Sequence, residues 1–180
     1  MLRFKTFIAA SVVASGMAMA EETKIQPISI RNNNPGNIKV SGDNWDGSIS
    51  GGEGGFVKFE SPEMGARAMA KLLSNYQTKH GLNTVGSMIN RWAPPSENDT
   101  STYASTVASR MGVGVDDVID FSKNRGHLKS MMRHMIDYEG GNPAKTYYTD
   151  KIINSGVNLA APMPTPATRP TSIPKKPEGF

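Results

Sequence analysis

Apolar residues recur at helical spacing through most of residues 61–139. Ser61-Pro62-Glu63 supplies a hydroxyl cap, a proline suited to the first helical position and a first-turn acid. From there Ala66, Met69, Leu72 or Leu73, and Tyr76 fall on one face, and Gly81 stops the run. A second helix is predicted from Thr84, with Val85, Met88, Ile89 and Trp92 inward, ended by Pro94-Pro95. A third opens near Asn98-Asp99-Thr100, carries Tyr103, Val107 and Met111, and stops at Gly112. A short helical turn is expected over 116–121. The last helix spans about 123–139, with Leu128, Met131 or Met132, Met135 and Ile136 inward, and Gly140-Gly141 ends it. Residues 27–59 read differently: Asn, Gly and Asp dominate, and Phe56-Val57-Lys58-Phe59 alternates apolar with polar. That pattern predicts a small β-hairpin lobe. The expected fold is α+β and mainly helical.

The two ends fall outside this pattern. Arg3 and Lys5, an apolar run from Phe7 to Met17, and Ala18-Met19-Ala20 form a secretory signal over residues 1–20. The apolar run is short for a bilayer span, so no stable membrane span is expected after cleavage; an uncleaved anchor is the alternative. From Ala160 onward prolines recur at Pro162, Pro164, Pro166, Pro170, Pro174 and Pro177, which predicts an extended, solvated tail over 159–180. The tail reads as a spacer, a docking arm for a virion or envelope partner, or a segment with no partner. The folded body is thus expected over about residues 25–158.

Charge narrows the chemistry. The formal net charge is +4, and loss of residues 1–20 takes away two cations and no acids, leaving +2. No basic run marks a nucleic-acid surface. The absence of cysteine excludes a disulfide framework, a thiol nucleophile and cysteine-ligated zinc. His80, His127 and His134 include no i, i+4 pair, so no metal site is expected, and no cofactor motif is present.

Glu139 is the candidate catalytic residue. It follows Ile136 by three positions, Met135 by four and Met132 by seven, which puts it on the apolar face of its helix. It also stands at the helix C-terminus, where the dipole disfavours a carboxylate. Both effects raise its pKa, as a glycosidase acid requires. A frayed residue turned to solvent is the plainer alternative. Glu53, alone in Gly51-Gly52-Glu53-Gly54-Gly55, reads either as a carboxylate brought over a groove or as a solvated charge on a hairpin tip. Asp43 and Asp46 are weaker candidates of the same kind. Trp45 and Trp92 offer faces for sugar rings, although Trp92, at helical spacing with Met88 and Ile89, reads more readily as core.

Asn34-Pro35-Gly36-Asn37-Ile38, then Trp45-Asp46-Gly47, then Phe56-x-x-Phe59-x-Ser61 resemble, in order, the motifs of glucosaminidase-type peptidoglycan hydrolases of the lysozyme-like superfamily. The hairpin of that family carries a second functional acid, and Glu53 falls in the matching place. The segment from Leu128 to Glu139-Gly140-Gly141-Asn142-Pro143 looks like the lysozyme and lytic transglycosylase helix that ends in Glu-Ser-Gly-x-Asn-Pro. In those families the catalytic helix precedes the Asn-Pro-Gly-like turn; here it follows, which implies a circular permutation. Residues near 27–31 should then lie close to 142–150, with Asn37 or Asn34 hydrogen-bonding across a cleft and Tyr147-Tyr148 and Ile152-Ile153 forming a short cap. Residues 31–139, including Arg91-Trp92-Ala93-Pro94-Pro95, also look like a family of phage virion or structural proteins.

The resemblance implies a lysozyme-like glycosidase acting on peptidoglycan glycan strands: a muramidase, glucosaminidase or lytic transglycosylase. Glu139 would be the acid, Glu53 the second carboxylate, and Asn34, Asn37, Trp45 and Tyr147 would bind substrate. The protein would be exported to the periplasm, secreted, or virion-associated. A non-enzymatic virion or cell-wall-binding protein of the same fold is the rival reading.

Overall fold

A computed structural model describes residues 26–96 and 98–161; the expected signal and nearly all of the proline-rich tail lie outside these residues. The chain is mainly helical with one small antiparallel sheet, as the periodicity predicts. In order it forms α1 (Ile28–Arg31), β1 (Ser48–Ile49), β2 (Lys58–Phe59), α2 (Pro62–His80), α3 (Val85–Trp92), α4 (Thr100–Met111), α5 (Arg125–Tyr147) and α6 (Asp150–Ala160).

The helix starts follow their capping residues. Ser61 Oγ accepts from the Met64 N–H at 3.3 Å, with Pro62 in the first turn of α2. Thr84 and Ser87 form a reciprocal capping box on α3, and Asp99 caps α4 through the Thr102 N–H at 3.1 Å. Such caps satisfy amide donors that have no partner within the helix. Ala66, Met69, Leu73 and Tyr76 of α2 are buried, as are Val85, Met88 and Ile89 of α3 and Leu128, Met131, Met132, Met135 and Ile136 of α5. One continuous core joins these faces. A smaller cluster of Ile38, Val57, Phe59 and Ala68 seats the hairpin on α2.

Four features depart from the sequence pattern. The 27–59 lobe opens with a helical turn, α1, before its two short strands, in which Ser48 pairs with Phe59 and Ile49 with Lys58. Residues 116–121 form no helix. Their backbone groups bond elsewhere: the Gln77 amide donates to the Ile119 carbonyl at 2.7 Å and accepts from the Phe121 N–H at 2.9 Å, and the Ile119 N–H bonds to the Asn83 carbonyl. The Gly140-Gly141 pair breaks α5 but does not end it; Gly141 has φ 57° and ψ −155°, and a further helical stretch runs to Tyr147. Finally, residues 147–153 are not a peripheral cap. Tyr148 and Ile153 are buried, and α6 adds Val157 and Ala160 to the main core.

Helix α6 lies so near α2 that a Cβ built on Gly156 would stand 2.5 Å from the Ala66 Cβ, so the approach requires glycine. Since α6 continues to Ala160, the first residues assigned to the tail are helical.

Candidate functional site

The run Asn32-Asn33-Asn34 ties the hairpin to the helical body. Asn32 exchanges two hydrogen bonds with the Glu53 backbone, each 3.1 Å. Asn33 Nδ2 donates to the Phe59 carbonyl at 3.0 Å. Asn34, fully buried, donates to the Ile38 and Val57 carbonyls at 3.0 and 2.8 Å and accepts from the Ile38 N–H at 2.9 Å. Asparagine suits this task because its short amide supplies donor and acceptor together. On the other side, the Tyr148 hydroxyl donates to the Ser29 carbonyl at 2.5 Å and the Tyr147 hydroxyl to Asn33 Oδ1 at 2.9 Å. Residues 27–31 and 142–150 therefore meet at Ser29 and Tyr148, as expected, although more than 100 positions separate them.

This junction sets the α5 end against the 34–38 turn, and a cleft of about 730 Å³ opens between them. The Glu139 carboxylate faces into it. Glu139 Oε1 accepts from the Tyr103 hydroxyl at 2.7 Å and from Trp92 Nε1 at 2.8 Å; Oε2 accepts from Asn37 Nδ2 at 3.4 Å. Asn37 reaches it from a left-handed backbone, φ 44°, which asparagine tolerates. Gly36 matters for Trp92: an added Cβ would stand 2.8 Å from the Trp92 ring and displace it. Tyr103 is buried and stacks on the partly exposed Tyr138 ring, centroids 4.1 Å apart and planes 7° apart.

Glu139 is exposed to solvent along the cleft, while protein packs closely around its carboxylate. That crowding desolvates the carboxylate and raises its pKa above the usual range. Hydrogen bonds from Tyr103, Trp92 and Asn37 favour the anion but do not offset the desolvation. The two oxygens are unequal. Oε1 accepts two short bonds, one from the donor-only indole N–H of Trp92 and one from the Tyr103 hydroxyl, whereas Oε2 has one long bond from an amide. Oε2 is thus the less engaged of the two oxygens. Asn37 Oδ1 has no partner among the described residues, and a half-turn of that amide would offer an acceptor to a protonated Oε2.

Among known proteins, the chain is 35% identical over 144 residues to Protein P5 of Pseudoalteromonas phage PM2, an alignment covering 77% of this chain and 87% of that protein. The chain belongs to the Protein P5 family. Its kinship is thus with a bacteriophage protein. No protein-family model matches the chain.

In this P5-family chain the cleft gathers some of the sequence-predicted site residues and not others. Glu139, Asn37 and Trp45 line it. Trp45 also packs on the hairpin core, and its Nε1 is enclosed without a partner among the described residues. Asn34 is a buried structural clamp, not a ligand-facing group. Tyr147 is spent on Asn33, outside the cleft lining. Glu53 is not a second cleft carboxylate. It pairs with Arg31, Oε2 lying 2.8 Å from one guanidinium nitrogen and 3.1 Å from another, and this contact holds its carboxyl below the ordinary range. Asp46 likewise pairs with Arg67, whereas Asp43 does line the cleft.

From spacing alone Trp92 and Tyr103 read as core residues. The structure gives each a polar tip on Glu139, a role that the indole N–H and phenol O–H of buried aromatics commonly take. No helix among the described residues is long and apolar enough to cross a membrane. No cluster of three metal-ligating side chains occurs among them.

Proposed function

We propose that this protein cleaves glycosidic bonds in peptidoglycan, with Glu139 as general acid. The observation that carries the reading is a carboxylic acid anchored through Oε1 and held at Oε2 only by one long bond, at the wall of a cleft lined with aromatic rings, where crowding by protein raises its pKa. Proton delivery from such a group to a leaving oxygen is the step that glycoside cleavage requires. Tyr138, which is exposed, and Trp45, which is half-buried, both line the cleft and offer ring surface for sugars.

The remaining cleft carboxylates are Asp43, which accepts from Ser41 Oγ, and Asp99, which caps α4. With Glu53 bound to Arg31, a one-carboxylate course is favoured. Glu139 first gives its proton and then acts as base. A lytic transglycosylase works in this way and needs no second carboxylate to activate water. The resemblance of the 128–143 segment to the lysozyme and transglycosylase helix supports the same assignment, with the catalytic helix permuted to the end of the domain.

Kinship with a phage protein supports a virion-associated placement, and the signal expected over residues 1–20 would direct the chain to the periplasm; both are compatible with action on the wall. The kinship equally favours a second reading, a non-enzymatic virion protein that keeps the cleft. Zymography of the purified protein in a gel containing peptidoglycan separates them. A cleared band is expected; an uncleared gel with folded protein would favour the structural role.

A further inference from the structure

The cleft does not end at Pro94. A second groove, about 980 Å³, begins on the other side of that proline, which lines both. The same two helices build them. On α2, Tyr76 faces the Glu139 cleft, and His80, one turn later, faces the second groove. On α3, Trp92 faces the cleft and Arg91 the groove. The Tyr76 ring makes edge contacts with both Trp92 and His80, each at 6.4 Å between centroids. The Arg91 guanidinium also lies near the Tyr76 hydroxyl. One surface thus runs from the carboxylate to a polar groove.

The chemistry changes along it. The cleft sets aromatic rings among polar groups such as Asn37, Asp43 and Asp99, whereas the groove is lined by no Trp, Tyr or Phe and presents Arg91, His80, Asn90 and Asp116, all exposed. Thr84 and Ser87 also line it but spend their hydroxyls on the α3 capping box. What remains is a permanent cation, an imidazole, a primary amide and one carboxylate. This set fits a ligand that carries carboxylates, amides and an amine together. Peptidoglycan offers that combination where a short peptide with free carboxylates and a diamino acid branches from its muramic acid.

We infer that the groove beyond Pro94 binds the stem peptide of a muramic acid seated in the glycan cleft, with Arg91 pairing a peptide carboxylate and Asp116 facing the amino group. The inference rests on the peptidoglycan reading above and adds a preference for peptide-bearing over bare glycan. A guanidinium matches a carboxylate with two parallel hydrogen bonds. An exposed pair of this kind contributes modestly, so with the added amide contacts the preference should be about tenfold.

Calorimetric titration with two probes tests this: the N-acetylglucosaminyl–N-acetylmuramyl disaccharide carrying its tetrapeptide, and the same disaccharide without peptide. For the full chain, the peptide-bearing probe should bind about tenfold tighter, and the ratio of affinities should fall toward one in Arg91→Ala. The ratio should also shrink as salt is raised. Arg91→Lys keeps the charge but not the fork and should give an intermediate ratio, which separates lost recognition from lost folding. Equal affinities in the unaltered protein, or a ratio that survives Arg91→Ala, would overturn the inference alone. Failure of both probes to bind would overturn the peptidoglycan reading with it.

Discussion

Replacing Tyr103 with phenylalanine removes one oxygen from a buried ring and leaves its stacking on Tyr138 available. The lost atom donates to Glu139 Oε1 at 2.7 Å. A hydrogen bond to a charged acceptor contributes about 1.5–3 kcal/mol and one to a neutral acceptor about 0.5–1.5 kcal/mol. Tyr103→Phe therefore costs the ionised form of Glu139 more than the protonated form, by about 1–2 kcal/mol. That difference is roughly five- to thirtyfold in the protonation equilibrium, always toward the acid. The direction also sets the pH dependence of stability. Because the folded-state pKa of Glu139 is already raised, its contribution to stability is complete below the unfolded carboxylate range and is lost as pH rises through its own titration. The variant should thus be closest to the parent in acid and fall behind it above that titration. Carbon-13 NMR of the Glu139 side-chain carboxyl gives the midpoint directly, with urea unfolding at two pH values as the companion measurement. An unchanged midpoint, or one moved to lower pH, would refute the view that Tyr103 holds Glu139 through Oε1.

Two further substitutions separate site from scaffold. Asn34→Ala leaves the Val57 carbonyl and the Ile38 N–H unpaired in a buried turn, while the Ile38 carbonyl keeps the Val57 N–H, and it should cost roughly 2–4 kcal/mol in a urea melt; a loss under about 0.5 kcal/mol, the range of an ordinary surface change, would show that Asn34 is no clamp. Glu53→Gln breaks only the exposed pair with Arg31, so peptidoglycan cleavage should stay within about twofold of the parent. A fall of two orders of magnitude would restore Glu53 as a working carboxylate.

The helices were legible because their signals are local. Ser61-Pro62, Thr84 and Asp99 mark starts, Gly81 and Gly112 mark stops, and the inward faces follow from a 3.6-residue period. The position of Glu139 was legible in part for the same reason: its spacing of three and four residues from Ile136 and Met135 allowed a place on the packed side, with a residue turned to solvent as the other reading. Its partners were not. Trp92 and Tyr103 carry the same spacing as core residues, and nothing in a periodic pattern tells which buried aromatic ends on a carboxylate.

The Asn32–Asn34 run read as turn chemistry, which is correct locally. Its side chains, however, are taken by carbonyls and amides more than 20 positions away. Glu53 sits in a glycine-rich loop that suits a mobile acid, and only the fold reveals that Arg31 lies across from it. The missed helix continuation after Gly141 and the core role of α6 have one cause. A glycine pair signals a change of direction but not where the chain goes next, and α6 is placed by its fit to α2 through Gly156 and Ala66.

The most direct test of the central claim is a paired digestion of purified peptidoglycan by the parent protein and Glu139→Gln. The amide keeps the size of the side chain and an oxygen able to accept from Trp92 and Tyr103, but it cannot deliver a proton. Soluble muropeptides would be separated and weighed by mass spectrometry, and the fold of both proteins checked by circular dichroism. The account predicts that the parent releases glycan fragments and that the folded variant is slower by two orders of magnitude or more. Equal release by both proteins, or none by the folded parent, would contradict it.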